Sequence, residues 1–215
     1  NLPAGTTATA TLTGLVSHVQ FANAENTTVT NRVSIAAANL VAPVIVVVPV
    51  PVLVRRDFGD APAPSFPTLL PTGARHRLGA LRLGVLVDAE PNGQSSVAAD
   101  LDDVTGGPDD EDGVAFVGTL IPGQNYNIQV TASVAGFLNA WVDFNADRSW
   151  AQAGDQIFNN QPLAAGVNPL SFTVPPTAAW STNVFARFRF TTSTNNLGYV
   201  GLASNGEVED YMMTM

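Results

Sequence analysis

The side chains best suited to do chemistry in this chain are its carboxylates, which fall in short runs. The chain ends in Gly206-Glu207-Val208-Glu209-Asp210-Tyr211, and other acidic runs lie at residues 57–60, 88–90, 100–103 and 109–112. Carboxylates this dense repel one another unless cations or water screen them. Calcium takes about six to eight oxygen ligands, and carboxylates clustered on loops supply them. The pattern therefore predicts bound metal before it predicts any reaction.

The first set of candidate calcium ligands comes from the acidic runs, and the Asp57, Asp88 and Glu209 groups lie beside apolar strand residues. It is too large for one ion, so it would serve one crowded site or two adjacent sites. Its members are Asp57, Asp60, Asp88, Glu90, Asp103, Asp112, Glu207, Glu209 and Asp210. For the run at 109–112 an alternative stays open, because a charge run is usually a solvated loop.

A second candidate metal site is a single loop. Asp143, Asn145 and Asp147 supply oxygens at alternate positions, and Asp155 would close the shell, as a later carboxylate does in EF-hand loops. Arg148 stands where such loops favour glycine, and Asp155 falls one position beyond the EF-hand spacing. The loop is therefore either a metal site or a purely structural strand end.

The remaining side chains argue against an enzyme. The chain has no cysteine, and all nine basic residues are arginine, which excludes thiolate chemistry, disulfides and Schiff-base lysines. Paired acids such as Asp88 and Glu90 would hydrolyse a glycoside only if one were held protonated in an apolar pocket, and dense negative loops favour cations instead. His76 lacks a recognisable nucleophile or zinc motif and is expected to hydrogen-bond within a turn. We predict no catalytic residue.

Charge and composition also limit location and partners. The net charge of −9 and the pI near 4.4 disfavour nucleic acid, which requires a basic face. The start at Asn1, without an initiator methionine, predicts a mature secreted chain, with its signal peptide removed, outside the cell or on its surface. A glycan partner is possible through a stacking platform of Trp141, Trp150, Trp180 and Tyr126, although most tryptophans in such a domain are core. Asn26-Thr27-Thr28 matches a glycosylation sequon, which is a weak signal.

The elements that must position these groups are strands. Eighteen glycines and 15 prolines, with abundant Thr, Val and Asn, favour short strands joined by turns. Alternating patterns predict strands at 6–13, 29–35, 113–117, 126–131, 138–143, 170–174, 184–190 and 208–213. Their spacing predicts an all-β fold, an antiparallel β-sandwich or jelly roll with an extended N-terminal strand-forming arm. Arg187 and Arg189 share the face of Phe185 and either supply countercharge to the acidic loops or are solvated.

The N-terminal region differs sharply in charge from the rest of the chain. Residues 1–56 contain one acid, Glu25, and the other 17 acids follow, so we divide the chain into an arm at 1–56 and a domain at 57–215. The apolar stretch 40–54 is shorter than the roughly 20 residues of a membrane-spanning helix and contains three prolines, so no membrane span is predicted.

That apolar stretch requires burial, for which two alternatives are open. It is either a strand or linker packed within its own chain, or a strand donated to a neighbouring subunit. A donated strand repeated head to tail does not close and gives a filament, making the chain a homo-oligomer or polymer. The residues assigned to this contact are Val44, Ile45, Val46, Val47, Val48, Val50, Val52 and Leu53.

Many of these motifs, in this order, resemble the GEVED domain, a module of secreted and surface proteins of bacteria. The resemblance covers about residues 57–215 and rests on Asp57-Phe-Gly-Asp-Ala-Pro62, Ala74-Arg-His76, Leu83-Gly84, Asp88-Ala-Glu90, Asp102-Asp103, Asp110-Glu-Asp-Gly-Val114, Trp141-Val-Asp-Phe-Asn145, Ala186-Arg-Phe-Arg189 and Gly206-Glu-Val-Glu-Asp-Tyr211. It implies an extracellular β-sandwich that calcium stabilises, with no established catalytic activity. The hypothesis is a calcium-stabilised structural subunit; the alternative is an adhesive or carbohydrate-binding module of a secreted protein.

Overall fold

A computed structural model describes residues 26–35, 44–101, 110–180, 182–194 and 197–215. Strands are the main regular structure of these ranges and helix is nearly absent from them, which confirms the predicted all-β class. The strands are β1 Asn26–Ile35, β2 Val44–Leu53, β3 Arg56–Phe58, β4 Arg75–Arg77, β5 Val114–Val117, β6 Asn125–Ala132, β7 Gly136–Val142, β8 Gln156–Leu163, β9 Gly166–Thr173, β10 Asn183–Thr191, β11 Leu202–Ala203 and β12 Glu207–Thr214. Across the described ranges, no helix has the length and apolar character needed to cross a membrane.

The chain divides into two units between Val52 and Leu53. In the first unit, β1 and β2 form a two-stranded sheet. The side chains of Ile45 and Val47, two positions apart on β2, are 47% and 54% exposed. The predicted strand at 6–13 lies outside the described residues, as do the side chains of Val44, Val46, Val48, Val50, Val52 and Leu53.

The second unit is built on two antiparallel sheets with the strand orders β5-β6-β9 and β12-β10-β7-β8. Alternate residues of these strands point into a shared apolar core, because successive side chains of a strand leave opposite faces. Ile128 and Val130 of β6 enter the core with Leu138 of β7 and with Phe188 and Phe190 of β10. This sandwich confirms the predicted architecture.

A third, smaller sheet lies on the outer face of the four-stranded sheet. Its order is β11-β4-β3, with β3 antiparallel and β11 parallel to β4, and both β3 and β4 pack against β12. The outer face of β10 carries Phe185, Arg187 and Arg189, as the alternation predicted. Phe185 packs there with Phe66 and Trp150 in a second apolar cluster.

The alternative of solvated arginines on β10 is wrong, because Arg187 and Arg189 are fully buried. Arg187 forms a bidentate ion pair with Asp210, its register partner on β12: Nε lies 2.7 Å from Oδ1 and Nη2 2.6 Å from Oδ2. Its guanidinium also lies 4.6 Å from the centroid of the Trp150 ring. Arg187 thus supplies countercharge beneath the third sheet.

His76 does not bond within a turn as predicted, because its partners are distant in the sequence. Its Nδ1 lies 2.8 Å from the carbonyl oxygen of Asn205, and its Nε2 accepts a 2.9 Å hydrogen bond from Arg189 Nε. This pairing requires the proton on Nδ1, so the ring is neutral. Burial lowers the pKa of His76 well below its ordinary value, and the Arg189 charge lowers it further. His76 is therefore a structural link between β4 and β10.

Candidate metal centre

Three buried acids from three separate parts of the second unit lie close together at the start of β12. Ligand oxygens of Asp57, Asp110 and Glu207 all lie within 4.8 Å of one another. Within the described ranges, no other group of three or more His, Asp or Glu residues meets that distance. Oxygens on opposite sides of a calcium ion lie about 5 Å apart, twice the usual ligand distance of about 2.3–2.6 Å. The spacing of these carboxylates is that of an oxygen-ligated divalent cation.

Each acid of this carboxylate cluster is held by backbone N–H groups. Asp57, in the centre of β3, accepts a 2.6 Å hydrogen bond from Val208 N through Oδ2. Asp110 accepts from Asp88 N at 2.9 Å, and Glu207 Oε2 accepts from Leu83 N. These bonds join β3, β12 and the two acidic loops, so the carboxylates are positioned before any ion binds.

Glycine at position 206 allows the chain to enter β12 at this point. Its φ is +99°, and a Cβ there would collide with the carbonyl oxygen of Phe190. Only glycine tolerates both this backbone conformation and this close approach. The turn sets the start of β12 and thereby the position of Glu207.

The second carboxyl oxygen of Glu207 lacks the hydrogen-bond partner that an acid with a purely structural role would have. Glu207 is 1% exposed, and its Oε1 accepts no hydrogen bond from the described residues. A buried polar atom without a partner costs about 1–3 kcal/mol, and more when it is charged. A bound cation would supply the missing partner.

Glu207 and the carboxyls near it have raised pKa values, because they are buried close to other negative charges. Burial raises the pKa of Glu207 well above its ordinary value, and the charges of Glu209 and Asp57 raise it further. Burial, a hydrogen bond to Asp88 and the charge of Asp57 raise the pKa of Glu90 to about 11. Burial likewise raises the pKa of Glu209 to about 8. Without a cation, Glu90 and Glu209 therefore favour their protonated forms at neutral pH.

Four other members of the first predicted ligand set have their own protein partners. Glu209 accepts from Gly113 N and from the Tyr211 hydroxyl, and Glu90 accepts from Phe58 N. Asp210 pairs with Arg187, and Asp60 accepts from Leu101 N at 3.1 Å. Asp112 is exposed and accepts a hydrogen bond from Val85 N. Asp88 donates its backbone N–H to Asp110, and its Oδ1 is a second buried oxygen that accepts no hydrogen bond from the described residues. Asp103 lies outside the described residues.

Asp110 is the member of the carboxylate cluster that sequence reasoning missed. It belongs to the acidic run at 109–112, of which Asp112 is the predicted ligand. Asp110 and Asp112 are two positions apart, so in an extended chain their side chains point to the same face. The alternation pattern therefore does not show which of them is the ligand. The solvated-loop alternative for this run is wrong at Asp110, which is buried, whereas Asp112 is exposed.

The second predicted site, at residues 143–155, is a separate loop. The Asp143 carboxylate holds this loop in shape by accepting hydrogen bonds from Asp147 N at 3.1 Å and from Arg148 N at 2.8 Å. The Asn145 amide donates to Asp147, and Asp155 accepts from Gln152 N. Burial raises the pKa of Asp155 to about 6, with smaller contributions from the charges of Asp143 and Asp147. Protein hydrogen bonds thus account for the shape of this loop.

Arg148 adopts the left-handed conformation that the loop requires, with φ of 66°. A residue with a Cβ is strained there by about 1–2 kcal/mol, and glycine is not. We therefore expect Arg148→Gly to raise the melting temperature by about 2–4 °C, equivalent to about 1 kcal/mol. Arg148→Ala is the matched control, because it removes the same charge and keeps the Cβ. Equal melting temperatures for the two variants would contradict the strain argument.

Part of the second unit matches a known protein family. Residues 137–214, which run from β7 to the end of β12, match the family model of the GEVED domain. The match confirms the resemblance over that part of the chain and includes Glu207. No curated protein and no solved structure matches the chain.

Proposed function

We propose that this chain, which carries a GEVED domain at residues 137–214, is an extracellular structural subunit. Calcium stabilises its β-sandwich domain, and its N-terminal strand region joins subunits into a filament or surface layer. The observation that carries the proposal is the carboxylate cluster of Asp57, Asp110 and Glu207, in which the buried Glu207 Oε1 has no partner among the described residues.

The choice of calcium follows from the ligand chemistry. The cluster offers carboxylate oxygens only, which are hard ligands and suit Ca²⁺ or Mg²⁺. Calcium accepts irregular oxygen cages, whereas Mg²⁺ demands near-octahedral geometry and retains several waters. A buried cluster that joins two strands and two loops therefore fits calcium better.

The balance of buried charge supports a bound cation. Of the described residues, nine acids and five arginines are buried. The acids are Asp57, Asp60, Glu90, Asp110, Asp143, Asp155, Glu207, Glu209 and Asp210, and the arginines are Arg56, Arg75, Arg77, Arg187 and Arg189. Burying a charge without a countercharge is costly, so the excess acids take up either protons or cations.

A structural role is favoured over a catalytic one by the burial of the same acids. A hydrolase needs two carboxyls that face a substrate across an open cleft, one of them with a raised pKa. Glu207 and Glu209 have raised pKa values but are each 1% exposed, so a substrate cannot reach them. Such acids are placed to hold strands together around an ion.

The assembly part of the proposal rests on β2. Its apolar sequence is interrupted by two prolines, Pro49 and Pro51, which remove backbone donors and suit a strand with an open edge. The exposed Ile45 and Val47 give it an apolar face that would be buried against another subunit.

Electron microscopy of the purified chain in millimolar calcium tests this proposal. We expect filaments or a regular layer from the unaltered chain. The double variant Ile45→Asp/Val47→Asp should give dispersed particles, because two carboxylates cannot enter an apolar contact. The control Val117→Asp/Val167→Asp changes two equally exposed valines of the sandwich, 55% and 61% exposed, and should still assemble.

Two results would contradict the assembly proposal. One is dispersed particles from the unaltered chain in calcium. The other is unfolding of the Ile45→Asp/Val47→Asp variant, detected by circular dichroism, which would make β2 an ordinary core strand.

A further inference from the structure

A cavity of about 470 Å³ opens on the outer face of the four-stranded sheet, at β7 and β8. Trp141 is the register partner of Arg187, so it lies on the outer face, opposite the core residues Ala140 and Val142. Gln156 of the edge strand β8 pairs with Trp141 and also lines the cavity. The volume lies within the range of about 300–1,000 Å³ that is typical of small-ligand sites.

Aromatic rings form one side of this cavity and are held rigidly. Trp141 and Trp150 are 4% and 2% exposed, and Trp150 Nε1 donates a 3.1 Å hydrogen bond to the carbonyl of Phe185. Tyr199 stands edge-on to both indoles, with ring centroids 6.1 and 6.3 Å away, and remains partly exposed. Its backbone carbonyl is fixed by Arg187 Nη1 at 2.9 Å. The Tyr199 ring is therefore a preformed surface on which a flat apolar face could stack.

Amide side chains form the other side. Gln152, Gln156 and Asn159 line the cavity, and all three are exposed. An amide offers both donors and an acceptor, so it can bond two neighbouring hydroxyl groups. Part of this capacity is used within the protein, because Gln152 Nε2 donates to Asp147 and Asn159 Oδ1 accepts from Asn160 Nδ2. None of the described residues that line the cavity is charged.

We propose that this cavity is a binding site for a neutral carbohydrate. A sugar ring presents an apolar C–H face and an edge of vicinal hydroxyls, which match the tyrosine ring and the amides respectively. Anionic ligands are disfavoured, because no cationic side chain among the described residues lines the cavity and the chain has a net charge of −9. The site is separate from the carboxylate cluster, and its residues are not among the proposed calcium ligands.

Titration of the full chain with neutral tetrasaccharides tests this inference. The probes are cellotetraose, maltotetraose, xylotetraose and mannotetraose, with sialyllactose as the charged comparison. Binding is followed by calorimetry and by tryptophan fluorescence, to which Trp141 and Trp150 contribute. We expect at least one neutral probe to bind and to change the fluorescence, and sialyllactose to bind no better.

Two double variants locate the site. Gln156→Ala/Asn159→Ala removes two exposed amides of the cavity and should weaken binding about tenfold or more, through the loss of hydrogen bonds to the sugar. Asn127→Ala/Gln129→Ala removes two exposed amides from β6 and should bind as the unaltered chain does. The inference is overturned if no neutral probe binds, if the cavity variant binds normally, or if an extended peptide competes for the site. Repeating the titration with chelator separates this result from calcium binding, because the cavity residues do not contribute to the carboxylate cluster.

Discussion

Arg187→Met is expected to destabilise the second unit by about 3–5 kcal/mol, a large effect for a single substitution. The substitution removes the only guanidinium that pairs with Asp210 among the described residues, leaving a fully buried carboxylate without its countercharge. It also deprives the backbone carbonyls of Pro67 and Tyr199 of hydrogen bonds of 2.8 and 2.9 Å. These contacts join β10 to the loops that cover it, so their loss affects the whole outer face.

Denaturant unfolding of three variants checks this prediction. Arg55→Met removes an exposed arginine and is the matched control, with an expected change below about 0.5 kcal/mol. The double variant Arg187→Met/Asp210→Leu should be more stable than Arg187→Met alone, because no unpaired charge remains buried. A loss below about 1 kcal/mol for Arg187→Met would show that the ion pair does not hold the outer face to the sheet.

The second large effect is a loss of stability with rising pH in the absence of calcium. Burial raises the pKa of Glu209 to about 8 and that of Glu90 to about 11, whereas both carboxyls titrate near 4.5 when unfolded. At pH values between 4.5 and 8 the folded chain therefore holds protons that the unfolded chain has released. Stability falls with pH wherever the folded state binds more protons. His76 has the opposite effect, because its pKa is lowered, but that effect is confined to pH values below about 6.5.

The melting temperature of the chelator-treated chain should therefore fall between pH 6.5 and 8.0. Each protonated carboxyl contributes up to about 2 kcal/mol over those 1.5 pH units, which corresponds to about 4 °C or more. Saturating calcium should reduce the fall, because the ion favours the charged carboxylates. A melting temperature that is constant or rising over this interval in chelator would contradict the account of the buried acids.

The strands that the sequence predicted are those with a clear alternation. In β6, Tyr126, Ile128 and Val130 alternate with exposed polar residues, because one face packs in the core and the other meets water. β8 was missed because only Phe158 and Leu163 of its eight residues are buried. At the edge of a sheet a strand needs few apolar side chains, so the pattern is weak.

The third sheet was not predicted, because its strands are short and charged. β3 is Arg56–Phe58 and β4 is Arg75–Arg77, three residues each and all buried. Charged residues usually indicate a solvated surface, and sequence alone does not show which charges will find partners across more than 100 residues. The contact of Arg189 with His76, 113 residues away, depends in this way on the tertiary fold.

The candidate metal site could be predicted from composition and at two of its three residues, but not at Asp110. The density of acids pointed to cations, and Asp57 and Glu207 were among the predicted ligands. The choice of Asp110 over Asp112, and the separate roles of Asp210 and Glu209, depend on which backbone N–H groups and arginines each acid meets. Those partners come from β10 and from loops distant in the chain, which local patterns do not specify.

Calorimetric titration of calcium into the chelator-treated chain tests the central claim most directly. We expect the unaltered chain to bind calcium, and its stability to rise by about 2.7 kcal/mol at a hundredfold excess over Kd. Glu207→Gln, which keeps the shape of the side chain, should lose this binding, whereas Asp100→Asn, which removes an exposed acid outside the cluster, should retain it. Absence of binding by the unaltered chain, or unchanged binding by Glu207→Gln, would contradict the assignment of the carboxylate cluster as a calcium site.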